Sequence, residues 1–112
     1  MSQPPGDLGA MLAQVQQMGE RLREAQRELR LRTVEATVGG GVVTARVNGA
    51  GELVSIQIDP VAVDPRDVEM LQDLVVAAVG EGMRRARELA NEELQRRTGL
   101  PIGALLGALG QA

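Results

Sequence analysis

Neither cysteine nor histidine occurs among the 112 residues. Their absence removes disulfides, thiol nucleophiles, the usual zinc ligand sets and the commonest general base together. Phenylalanine, tyrosine and tryptophan are missing too. Packing must therefore rest on Val, Leu, Ile, Ala and Met, and a lone domain of this length without aromatic bulk closes only a limited core. A second copy is the simplest way to complete it. Lysine is also absent, so all 12 basic residues are arginine. No run approaches the roughly 20 apolar residues of a membrane span. Met1 to Gly6 have neither the basic residues nor the apolar run of a secretory signal. With cysteine unused, the expectation is one domain in a reducing cytoplasm, with no membrane partner.

Catalysis has little to draw on. The serines are Ser2 and Ser55, and no histidine exists to activate either. Asp59, Asp64, Asp67, Glu69 and Asp73 cluster in the sequence, but all suit turns, caps and helix first turns better than a metal site. Gly39-Gly40-Gly41 is not followed by the Lys-Ser/Thr of a phosphate loop. The chain is expected to be no enzyme, with no cofactor, no metal and no small-molecule substrate.

What is present is pattern. Leu8, Met11, Val15, Met18, Leu22, Ala25 and Leu29 alternate three and four apart, the a/d seam of a coiled coil. A helix is expected over 7–32, with Glu20–Arg23 and Glu28–Arg32 at helical neighbour spacing. The period then becomes two: Val34, Ala36 and Val38; Val43, Ala45 and Val47; Val54, Ile56 and Ile58. Strands are expected at 33–38, 42–48 and 53–59, joined by the glycine run 39–41 and by Asn48-Gly49, as an antiparallel meander with one face covered. Asp64-Pro65 reads as the start of a second helix over 65–98, ended by Gly99 and Pro101. Gly80 and Gly82 inside that helix signal either a close approach or tolerated drift. The fold class is α+β with α-β-β-β-α order and two long helices. Residues 1–6 are expected to form a disordered start, 7–99 the domain, and 100–112 a flexible or docking tail.

Charge is segregated. Arg21, Arg23, Arg27, Arg30 and Arg32 face only Glu24 and Glu28 within 21–32. Arg84, Arg85, Arg87, Arg96 and Arg97 face Glu88, Glu92 and Glu93 within 84–97. Between these basic segments, residues 52–81 hold seven acids and only Arg66.

Gly39 to Val43, Val47-Asn48-Gly49, Ile58-Asp59-Pro60, Glu69 to Val75 and Leu94 to Gly99 together resemble the YbaB/EbfC family of bacterial nucleoid-associated proteins. The resemblance spans roughly residues 8–100, with Gly80-Glu81-Gly82 where the family has a helix-favouring run. It implies an intertwined, tweezer-like homodimer that binds duplex DNA with little sequence specificity, alters its conformation, and organises the nucleoid or regulates genes. The arginines are the candidates for that work: Arg23, Arg27 and Arg30 on the outer side of the first helix, with Arg84, Arg85 and Arg87 on the second. Arg32 falls on the seam register and suits a structural role. Without aromatics there is no stacking platform for single strands, so duplex is the expected form. The dimer interface is expected at Leu8, Met11, Val15, Met18 and Leu22. The alternative is a homodimeric protein-interaction module of the replication or repair machinery with incidental DNA affinity.

Overall fold

The computed structural model describes residues 5–99. Helix α1 spans Pro5–Leu31, strands β1 Thr33–Val38, β2 Val43–Asn48 and β3 Leu53–Ile58, a 3₁₀ turn Pro60–Ala62, and helix α2 Val68–Thr98. The expected element order is the one found. Pro5 and Gly6 belong to α1; residues 1–4 and 100–112, where tails are expected, lie outside the described residues.

The sheet is an antiparallel meander in the order β1-β2-β3. Val34 pairs with Val47, Ala36 with Ala45 and Val38 with Val43, so one face is apolar, as the alternation predicts. The opposite face is polar, with Thr37 bonded to Thr44 at 3.0 Å and Arg46 to Glu35 at 2.6 Å. The turn at 39–41 needs glycine, because Gly39, Gly40 and Gly41 all take positive φ. One irregularity breaks the expected face assignment of β3. Ser55 pairs with Arg46 but Leu53 pairs with Val47, so Val54 is an extra, bulged residue and is exposed.

The start of α2 differs from the expected one. Asp64 closes a turn by accepting from the Arg66 amide at 2.9 Å, with Pro65 beside it, and Asp67 is the N-cap, accepting from the Met70 amide at 3.2 Å. The Asp-Pro pair satisfies a β-turn first, which moves the helix start one turn on. At the other end Gly99 takes φ 71° and its N–H donates to the Gln95 carbonyl at 2.7 Å, as expected of a glycine stop.

Helix α2 lies over β1 and β2 and scarcely reaches β3. Val43, Ala45 and Ala78 form the buried centre, with Leu71, Leu74 and Val75 packed around it. The approach is closest at Gly82, where a Cβ would stand 2.8 Å from Val47 Cγ2. At Gly80 nothing would lie within 4 Å, so the close-approach reading holds for Gly82 alone. Helix α1 touches this body only near its end, where Ala25 and Leu29 are buried. There the Gly49 N–H donates to the carbonyls of Leu29 at 2.8 Å and Arg32 at 2.9 Å, capping the helix from the β2–β3 turn. The rest of α1 stands out as an arm. The radius of gyration, 20.6 Å, far exceeds the roughly 13 Å of a compact domain this size.

Candidate nucleic-acid interface

Arg23, Arg27 and Arg30 are spaced four and three apart, so they form one stripe along α1. That stripe lies on the side of the helix away from buried Ala25 and Leu29, and all three are exposed, as expected. Among the described residues none of the three is ion-paired, and neither is Arg21. The expected Glu20–Arg23 pair does not form. An exposed, unpaired guanidinium has no competitor to displace before it meets an anion, and its flat fork matches phosphate oxygens.

The α2 arginines differ from one another. Arg84 is held by Glu81 at 2.5 Å and by Glu88 at 3.5 Å. Arg85 binds Glu81 at 3.2 Å and donates to the Glu35 carbonyl of β1 at 2.6 Å. Hydrogen bonding from Arg84 holds the Glu81 carboxyl below the usual range. Arg87 is exposed and has no such partner among the described residues. Of the six candidate arginines, then, Arg23, Arg27, Arg30 and Arg87 present free guanidinium groups, while Arg84 and Arg85 serve the body of the protein.

The arginines at the helix ends have another use. The Glu93 side chain is only 2 % exposed. It accepts from Arg32 at 3.1 Å, from Arg97 at 2.9 Å and from Arg96. Arg97 also binds Glu28, so the expected Glu28–Arg32 pair within α1 is replaced by two bonds across to α2. The hydrogen bond from Arg97, with help from Arg96, keeps the Glu93 carboxyl below its ordinary range. Glu28 and Glu93 in turn raise Arg97. This knot clamps the base of the arm to α2. It gives Arg32 the structural role that its register implies.

Sequence reasoning misses the clamp, because a glutamate among arginines in a helix ordinarily reads as a solvated face. The available signal is position. Glu93 continues the row Ala78, Gly82, Ala86 and Leu89 that faces the sheet and α1.

The expected seam residues are open in the single chain. Leu8 is 67 % exposed, Met11 62 %, Val15 70 % and Met18 48 %, while Leu22 is half-buried. A second apolar surface surrounds the uncovered strand: Leu53, Val54 and Ile58 of β3, with Val61, Val63 and Val68 beyond. Among the described residues no three His, Cys, Asp or Glu converge as metal ligands, and no helix is long and apolar enough to cross a membrane.

Comparison with known proteins supplies a context for the free arginines. The YbaB/EbfC DNA-binding family matches residues 5–100. A nucleoid-associated protein of Pelotomaculum thermopropionicum is 48% identical over 94 residues, covering 84% of this chain and 90% of that protein. One of Rhodococcus erythropolis is 48% identical over 110 residues, covering 96% and 91%. The fold is similar to a crystal structure of an uncharacterized Helicobacter pylori protein, with TM-score 0.61 and 26% identity over 77% of this chain and 98% of that one.

Proposed function

Because the chain belongs to the YbaB/EbfC DNA-binding family, whose named members are nucleoid-associated proteins rather than enzymes, we propose that it binds duplex DNA as a homodimer. It does so in the bacterial cytoplasm with little sequence preference, altering the conformation of nucleoid DNA and so contributing to its organisation or to gene regulation. The observation that carries this reading is the stripe of unpaired arginines, Arg23, Arg27 and Arg30, on the outer face of α1 where the helix is anchored to the body.

The net charge of −3 makes the whole molecule a poor polyanion binder. Attraction must come from local patches, and the exposed side of α1 opposite Ala25 and Leu29 supplies one with three unpaired cations. Guanidinium–phosphate bonds position a protein on the backbone without reading bases, which favours sequence-tolerant binding. Two copies double the patches and let one particle grip two stretches of backbone. A second copy also has apolar surface to cover, since the heptad stripe on α1 and the face of β3 are both open.

A gel-shift titration with duplex DNA at about 100 mM salt tests the reading. Affinity clearly tighter than about 0.1 mM, the weak end of ordinary non-specific binding, supports it. Affinity no tighter than about 0.1 mM overturns it and turns attention to a protein partner.

A further inference from the structure

Only Arg32 separates the end of α1 at Leu31 from the start of β1 at Thr33, so the chain turns a corner there. Leu31 sits on that corner. Among the described residues no large apolar side chain is more exposed, at 84 %. It is off the heptad row that ends at Leu29, and it leads into β1, the sheet edge away from β3. It therefore belongs to neither surface left for a second copy. A lone exposed leucine is ordinary on a protein surface. The setting of this one is not.

Arg23, Arg27 and Leu31 are each four residues apart, so Leu31 closes the row of cations on the outer side of α1, with Arg30 immediately before it. The one acid in the turn before it, Glu28, is bound by Arg97. A duplex drawn by its phosphates to Arg27 and Arg30 therefore meets an uncharged, apolar tip between them and the sheet. That tip is held stiffly. The Leu29 and Arg32 carbonyls on either side of it accept from the Gly49 N–H at 2.8 and 2.9 Å, and Arg32 is fixed to Glu93 at 3.1 Å. Parting two stacked base pairs is uphill, and a side chain that does so needs a firm backing. Resting on the DNA-binding reading, we propose that Leu31 is a wedge. It enters the minor groove between two base pairs, parts their stack, and kinks the duplex that the α1 arginines hold by its phosphates. The kink is this chain's means of altering DNA conformation. Its placement follows the ease of unstacking rather than the hydrogen-bonding pattern of the bases.

The test compares the native full chain with Leu31→Ala and with the conservative Leu31→Met. The side chain is exposed, so neither change touches the core. Gel shifts use a matched duplex and the same duplex with a central mismatch, where part of the stack is already lost. The native chain and L31M should prefer the mismatched duplex by about tenfold, and L31A by less than about twofold. At equal occupancy the native chain should also speed ligase closure of a matched duplex of about 150 bp, one persistence length, by roughly tenfold. L31A should leave ring closure near the rate of bare DNA. Equal mismatch preference or equal ring closure in the native chain and L31A overturns the wedge. So does a native chain that binds matched duplex and shows neither effect; in both cases DNA binding itself stands. A native chain that binds neither duplex overturns the DNA-binding reading, and the wedge with it.

Discussion

Two residues apart on α2, Gly80 and Gly82 answer to different forces. Gly82 lets the helix backbone settle on Val47, and a methyl there would enter space already filled at 2.8 Å. Gly82→Ala should cost about 1–3 kcal/mol by overpacking. Gly80 is exposed with open space around it, so Gly80→Ala should raise stability by roughly 0.5–1 kcal/mol through helix propensity. Urea unfolding of the two variants reads both signs. Glu93 is the other decisive residue. Replacing it by glutamine removes the charge that three arginines share, and should cost about 2 kcal/mol at neutral pH. Its folded carboxyl titrates below the unfolded value because of Arg97 and Arg96. Its contribution is therefore full above the unfolded value near 4.3 and is lost as pH falls through the lower folded one. The stability gap between the native chain and Glu93→Gln should shrink on acidification below about pH 4. A gap that stays constant to low pH would show that the carboxylate charge is not what matters.

At the scale of elements, the ends of α2 separate what sequence reveals from what it hides. Strand alternation at 34–38 and 43–47, and the glycine stop at 99, follow from local chemistry and are legible. The helix start is not, since Asp64 and Asp67 are both competent caps and only the turn around Pro65 decides between them. Asp67→Ala should cost about 1 kcal/mol as loss of an N-cap, and Asp64→Ala less, by thermal unfolding. The β3 bulge is hidden for a similar reason: Leu53 and Val54 are both apolar, so periodicity cannot say which one pairs with Val47. The arginine stripe on α1 is legible because helical spacing alone sets the face. The pairing of Arg84 and Arg85 with Glu81 is legible as well, at i, i+3 and i, i+4 spacing; the Arg85 bond to the Glu35 carbonyl is not, because it joins residues far apart in sequence.

The molecule as a whole joins a small closed core to an arm that the core does not cover. Helix α2 spans two strands of three, and α1 is anchored only by its final turns, by Gly49 and by the Glu93 knot. Such a protomer leaves the apolar stripe of α1 and the face of β3 exposed, and these are the surfaces the proposed second copy would cover. Sedimentation should report twice the 11.9 kDa chain mass at micromolar concentration. Charge is divided too, with seven acids in 52–81 and three unpaired arginines in a row on the outer face of α1. That division makes a direct demand on DNA binding. The measurement is the slope of log affinity against log salt for duplex DNA, compared between the native chain and the triple variant R23E/R27E/R30E. The variant should bind more weakly, with a slope shallower by about 0.9 for each phosphate it no longer neutralises, in a particle of unchanged mass. The same affinity and the same slope in both proteins would contradict a DNA-binding role for the α1 arginine stripe.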